Sequence, residues 1–174
     1  MKKNTILPTL FLLAGGVASV MAQNTPQKIV CVNSSEIIQK NPEFSAAEKQ
    51  LKNLTEIHDA EFQKLVNQFQ KKSEQYEQES TSKKPSENKK RSEELFSLRK
   101  RAEKYQKTAT EDLEKKQNEL LNPVYKKVEE AISKVADKDK TITRVDDCSP
   151  GKCVLINKGV DITADVLKEL GIKQ

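Results

Sequence analysis

The sequence has no tryptophan, one histidine, three cysteines and five glycines in 174 residues, and aromatic side chains make up only 5% of it. Each scarcity excludes a class of chemistry. The cysteine pair Cys148 and Cys153 with one distant His58 does not make a zinc site, so no metal is expected. The glycines are confined to Gly15, Gly16, Gly151, Gly159 and Gly171, which leaves no phosphate-cradling loop and no cofactor site of that kind. No Ser/His/Asp set or paired-acid pocket can be assembled, so no catalytic residue is expected and the chain does not read as an enzyme. No aromatic residues alternate with the basic ones as a stacking platform for bases would require, so a formal charge of +5 does not point to a nucleic-acid partner.

Long apolar runs are also missing after the first residues. Lys2 and Lys3, the run Ile6 to Val20 and the ending Val20-Met21-Ala22 form a secretory signal peptide, with cleavage expected between Ala22 and Gln23. That run of about 15 residues contains Pro8, Gly15 and Gly16, and it falls short of a membrane span. Export and a soluble mature chain are the expectation. Removing Lys2 and Lys3 lowers the formal charge from +5 to +3, so the distribution of charge matters more than its sum. Between Lys71 and Lys107 there are 12 basic and 7 acidic residues, a positive patch midway along the chain.

What the sequence does contain is helical periodicity. From Pro42 to Asp137 there is no glycine and no cysteine. Ala47, Leu51, Leu54, His58, Phe62, Leu65, Phe69 and Tyr76 recur at steps of three and four, save one gap at Ser73, as one stripe of a helix. Leu95, Leu98, Ala102, Tyr105, Ala109, Leu113, Leu120, Val124, Val128, Ile132 and Val135 form a second stripe. Asn41-Pro42-Glu43 is a start signal, combining an Asx cap, a proline whose missing N–H costs nothing and an early acid. The first helix should reach about Glu79, roughly 55 Å at 1.5 Å per residue, and so must protrude. Ser80 to Ser86, with Pro85, reads as the turn of a helical hairpin. The second helix should run to about Ala136, kinked at Pro123, where one hydrogen bond is lost at a cost of about 3 kcal/mol. Matching positions recur every eleven residues (Leu54, Leu65 and Tyr76; Ala102, Leu113, Val124 and Val135), which suits nearly straight rods over a left-handed zipper.

Strands flank this hairpin. Lys28 to Asn33, with Ile29, Val30 and Val32, suits a strand buried on both sides. Thr141 to Val145, with Ile142 and Val145, and Val154 to Ile156 read as two strands around Cys148-Ser149-Pro150-Gly151-Lys152-Cys153. Pro-Gly marks the turn, and a disulfide is expected between Cys148 and Cys153, worth about 2 kcal/mol for so small a loop. Cys31 is then a buried free thiol. Asp161 to Gly171 has the caps, apolar face and glycine stop of a short helix. The expected fold class is α+β and predominantly helical, with a small body and a long antiparallel two-helix arm. Its divisions are 1–22 (signal), 23–41 (first strand and turn), 42–137 (hairpin, turning near 80–86) and 138–174 (body hairpin and terminal helix). Three short strands cannot cover both faces or protect their edges, so association with other copies is expected.

The order of these parts, Lys28-Ile29-Val30-Cys31-Val32-Asn33, a long hairpin containing Asn122-Pro123-Val124, then strands and the ending Asp161-Ile162-Thr163 to Leu170-Gly171, resembles the Skp/OmpH family of periplasmic chaperones over the whole mature chain. The resemblance implies a homotrimer with a β-barrel body and three helical tentacles. It also implies an ATP-independent holdase for unfolded outer membrane proteins, acting without a cofactor. The competing reading is a periplasmic coiled-coil scaffold or tether for one folded partner or an anionic membrane surface. The basic cluster Lys71, Lys72, Lys83, Lys84, Lys89, Lys90, Arg91, Arg99, Lys100 and Arg101 has two readings as well. It is a contact surface for clients, anionic lipid or lipopolysaccharide, or a solvated face paired with its own glutamates.

Overall fold

The computed structural model describes residues 27–173 apart from Cys153 and Leu155. The expected leader and its Ala22/Gln23 cleavage site lie outside the described residues. The elements follow in the order β1 (Lys28–Val32), α1 (Ser34–Lys40), α2 (Pro42–Gln78), a 3-10 turn (Ser80–Ser82), α3 (Pro85–Asp137), β2 (Ile142–Asp147), β3 (Val160–Asp161) and α4 (Thr163–Glu169). The chain is mostly helical, with a three-stranded sheet from which two long helices project.

The helix starts carry the local signals that place them. The Asn33 side chain accepts from the Glu36 N–H to cap α1, and Asn41 accepts from the Glu43 N–H to cap α2, with Pro42 in the first turn. Asn41 is itself buried, so its capping bond also satisfies a polar group withdrawn from water. At the other end of the chain Gly171 adopts φ +69°, and the Ile172 N–H reaches the Leu167 carbonyl at 2.9 Å. This is the left-handed close that ends α4.

The sheet order is β2-β1-β3, and β1 pairs with both neighbours in parallel. This corrects the expected antiparallel hairpin. The turn does form, since the Lys152 N–H donates to the Ser149 carbonyl at 3.1 Å and Gly151 sits at φ +84°, but among the described residues no strand follows it directly. Val154 and Ile156 lie outside any strand, and Ile156 is 77% exposed. The chain crosses back and pairs at Val160–Asp161, where a Cβ on Gly159 would stand 3.0 Å from the Ile29 carbonyl oxygen. A side chain there would push the backbone away from β1 by a few tenths of an ångström, so glycine suits this close approach. The parallel direction has a geometric cause. At 53 residues against 37, α3 outruns α2, and its extra turns carry the chain past the root of α2, so that β2 begins beside Lys28, the first residue of β1.

The core lies where α1, α3 and α4 cover one face of the sheet. Val30, Val32, Ile37, Val128, Ala131, Val135, Ile162, Val166 and Leu167 form one buried cluster, with Ile38, Ile132, Ile142 and Val145 packed against it. Val30, Cys31 and Val32 are all buried although they alternate between the two faces, so β1 is buried on both sides over this stretch as its apolar run suggests, whereas Ile29 near its start is 46% exposed.

The cysteine pairing also differs from expectation. Cys31 on β1 is joined to Cys148, just past β2, with Cα atoms 5.8 Å apart, within the usual range for a disulfide. Parallel pairing brings this about, since Cys31 lies opposite Asp146 and the Cys148 N–H donates to the Val32 carbonyl at 2.8 Å. With Cys148 so engaged, the expected Cys148–Cys153 bond is excluded, and Cys31 is not the free thiol.

Asp147 closes the same corner. Its carboxylate accepts from the Ser149 hydroxyl at 2.6 Å, the Ser34 hydroxyl at 2.6 Å and the backbone N–H groups of Ser149 and Ser34. Burial alone would raise its pKa, but the Ser149 and Ser34 donors outweigh that and bring it from 3.8 down to about 2. A lowered folded-state value contributes stability above the unfolded pKa and loses it as pH falls through the folded one. The unfolding free energy of the wild type should therefore exceed that of Asp147→Asn by about 2 kcal/mol near neutrality. Denaturant titrations across pH should show that gap closing between about pH 4 and pH 2, as both states take up the proton. A gap that persists at the acid end would remove Asp147 from the clasp.

Candidate functional site

The arm is the part of the molecule that stands clear of the core. At its root α2 and α3 are tied by Lys127, whose ammonium donates to Glu43 at 2.6 and 2.8 Å, and by buried Ala47, Leu121, Val124 and Val128. Leu121 and Ala131 are fully buried, whereas Leu120 and Ile132, which the spacing placed on the stripe, are half-buried. Farther out the packing thins. Beyond the root only Leu65 and Ala109 are fully buried among the described arm residues, and the other stripe positions, Leu54, Phe62, Phe69, Leu95, Leu98 and Ala102, are half-buried.

Midway along the arm His58 takes the place of an apolar contact. Its side chain is 17% exposed, its Nε2 is hydrogen bonded to the Asp112 carboxylate at 3.2 Å, and its Nδ1 shares a hydrogen bond with the Tyr105 hydroxyl at 3.0 Å. Both partners are on α3, so this polar pin fixes the register of the two helices. Tipward of it lies an open cavity of about 320 Å³ lined by Phe62, Val66, Phe69 and Ala102, with Arg99 and Glu103 at its edge. Ile57 and Phe96 are 63% and 62% exposed, and the Lys100 ammonium rests 5.6 Å from the Phe96 ring. The arm thus presents apolar patches bordered by charge.

The ten basic residues gather on the outer half of the arm but are not equivalent. Arg91 is an internal strut, with its side chain 14% exposed, its guanidinium 4.6 Å from the Tyr76 ring and hydrogen bonded to Glu79, and Glu87 at 3.9 Å. Its Nη1 is buried without a hydrogen-bond partner. Lys72 and the Tyr76 hydroxyl both donate to Glu94 across the hairpin. Lys83 pairs with Glu87, while Arg99 and Lys100 pair with Glu103. Among the described residues Lys71, Lys84, Lys89, Lys90 and Arg101 have no carboxylate partner, and these five are exposed. Spacing alone did not separate struts from free cations, because the pairing partners Glu79 and Glu94 are reached across the turn.

Three pKa shifts follow from this network. The Gln75 amide and the Arg91 guanidinium hold the Glu79 carboxyl below the usual carboxylate range, and Lys72 and Tyr76 do the same for Glu94. Lys72 is raised in turn by its hydrogen bonds to Glu94 and Tyr76. The lock is whole at neutral pH; it weakens in acid as Glu79 and Glu94 take protons, and in alkali as Lys72 loses one. Arg91→Ala should speed amide exchange at the hairpin tip, from about Tyr76 to Glu94, and leave exchange in the body unchanged. Unaltered tip protection would show that Arg91 is not a strut.

These features define the class as a helical-arm protein, a small parallel sheet bearing one long protruding hairpin. The chain belongs to the family described as outer membrane protein (OmpH-like), whose sequence pattern matches residues 28–170. Chaperone protein Skp of Pectobacterium atrosepticum is 28% identical over 170 residues, 98% of this chain and 99% of that protein. Chaperone protein Skp of Yersinia enterocolitica matches with the same identity and coverage. A crystal structure from Caulobacter crescentus CB15, described as an OmpH-like outer membrane chaperone, superposes with a TM-score of 0.66 at 15% identity, covering 97% of this chain and 89% of that one. At that identity the likeness is one of fold.

Proposed function

We propose that the chain is an ATP-independent, non-enzymatic holdase that binds unfolded outer membrane proteins in the periplasm and keeps them from aggregating. The observation that carries this reading is the arm itself: long, thinly packed beyond its root, with apolar patches bordered by charge. Such a surface makes many weak contacts with any extended polypeptide, and a thin core lets the arm bend beyond its root. The names of the relatives, chaperone protein Skp, agree with it.

The working unit in this reading is a homotrimer. Ile29, Tyr125 and Val160 are exposed apolar side chains of the body. The outer edges of β2 and β3 have no strand beside them among the described residues, and both features suit burial against further copies. The mature protein should suppress aggregation of several unrelated unfolded β-barrel proteins at stoichiometric amounts, and its solution mass should be three times that of one chain. Failure with every one of them, beside tight binding to one folded partner, would replace this reading with a tether.

Reversing Lys83, Lys84, Lys89 and Lys90 to glutamate tests the tip. Affinity for unfolded clients or anionic vesicles should fall about tenfold or more at low ionic strength, where each cation near an anionic surface adds about 1 kcal/mol. Unchanged affinity at low salt would take the tip out of the mechanism.

A further inference from the structure

The seam between the two arm helices has a notch that its own packing does not fill. On α2, Phe62 and Phe69 lie two turns apart on the apolar stripe, about 10 Å at 1.5 Å per residue, and Val66 falls between them. Opposite them the α3 stripe narrows to Ala102, with the larger Leu98 and Tyr105 one turn away on either side. A methyl group set against two rings leaves the open cavity of about 320 Å³, which is small for a ligand pocket. The two charged residues that line it are spent on each other, since Arg99 Nε donates to Glu103 at 2.9 Å. The remaining polar group is the Gln106 side-chain amide, which has no hydrogen-bond partner among the described residues. The notch thus offers aromatic walls, no unpaired charge, and one amide with both a donor and an acceptor to give. A second copy of the chain is too large an occupant, because a stable interface between folded chains needs about 1,000 Å². The exposed apolar residues suited to self-association, Ile29, Tyr125 and Val160, lie instead in the body, about 30 Å rootward of Phe62 by helical rise.

We propose that this notch seats one aromatic side chain of an extended, uncharged polypeptide segment, while Gln106 pairs with a peptide C=O or N–H beside it. The inference rests on the holdase reading and narrows it to a place on the arm and a kind of segment. In an extended chain successive side chains point to opposite sides, so one ring enters the notch while its polar neighbours stay in water. Strands of outer membrane barrels alternate apolar and polar residues in this way and carry girdles of aromatic ones. Edge-to-face or offset contact with Phe62 and Phe69 favours a ring over an aliphatic side chain. A charged side chain finds no free counterion there, because Arg99 and Glu103 already hold each other. A folded client is refused as well, since its aromatic side chains are buried and its backbone groups are already paired.

The chain has no tryptophan, so a peptide that carries one reports its own surroundings. The probe is a peptide of alternating serine and threonine with a single central tryptophan, titrated with the mature protein and followed by its emission, which should move to shorter wavelength on binding. Ala102→Phe, which fills the notch, and Val66→Glu, which charges it, should each weaken binding about tenfold or more, as expected for losing the burial of a ring. Gln106→Ala should weaken it about threefold. Asn53→Glu places the same charge at an exposed position of α2 and should leave affinity within about twofold. A second probe, with photoreactive benzoylphenylalanine in place of the tryptophan, should crosslink to the wild type at Phe62, Val66, Phe69 or Ala102. Crosslinks scattered along the arm, or equal affinity in wild type, Ala102→Phe and Val66→Glu, would overturn the notch as a site. Suppression of client aggregation by the wild type is measured beside these. If it holds while the crosslinks scatter, the notch falls and the holdase reading stands; if it fails with every client, the holdase reading falls and takes the notch's role with it.

Discussion

Replacing Cys148 with serine is expected to lower the unfolding free energy by about 4 kcal/mol while leaving the helical content nearly unchanged. The bond it removes spans 117 residues, so the closed loop includes α1, both arm helices and β2. In the chain-entropy account a loop of about 100 residues restrains the unfolded state by about 4.7 kcal/mol, against about 2 for the short Cys148–Cys153 loop that the sequence suggests. Cys148 is the better position to change because it is half-buried, whereas a serine at Cys31 would place a hydroxyl at a site only 2% exposed. Denaturation followed by circular dichroism, with and without reductant, checks the result. Reduced wild type should coincide with the variant, and a wild type indifferent to reductant would show that the clasp is open.

The second large effect is expected from Ile37→Ala. Ile37 is 0% exposed, on the short helix between the central strand and the arm, and belongs to the cluster that joins Val30 and Val32 to Val128, Val135, Val166 and Leu167. Removing its side-chain carbons leaves a cavity among β1, α3 and α4, which cannot all relax into it, and the loss should be about 3 to 4 kcal/mol. Ile57→Ala provides the comparison. Ile57 is 63% exposed on α2, and its truncation should change stability by no more than about 0.5 kcal/mol. Urea midpoints for the two variants and wild type decide it. Equal effects would mean that the body does not unfold with the arm, and that the cluster is not the core of the cooperative unit.

The helices of the arm are legible in the sequence because their causes are local. Asn41-Pro42-Glu43 starts α2, the Ser80–Ser86 segment with Pro85 breaks the pattern and restarts it, and an apolar step of three and four runs through both helices. Each signal acts within a turn or two of its own residues. The basic cluster was equally legible as composition. Its division into struts and free cations was not, because Arg91 stacks on Tyr76 and binds Glu79 only once the hairpin has folded back.

The strands read differently. Val30, Val32, Ile142 and Val145 were recognisable as strand material and do lie in or against the core. The Pro-Gly turn invited a local hairpin through Val154 and Ile156, yet Val160 and Asp161 form the third strand and pair with β1 in parallel. Nothing near the turn could reveal this, since strand direction depends on where two helices of unequal length deliver the chain.

From its residues alone, then, this protein was bound to have a long helical arm, a turn at its tip and capped helices, because short-range hydrogen bonding and a repeating apolar face determine them. Tertiary structure decided the order and direction of the strands and which cysteine Cys148 joins. Those choices set residues more than a hundred positions apart against each other, and only the finished packing of the sheet under α1, α3 and α4 discriminates among them.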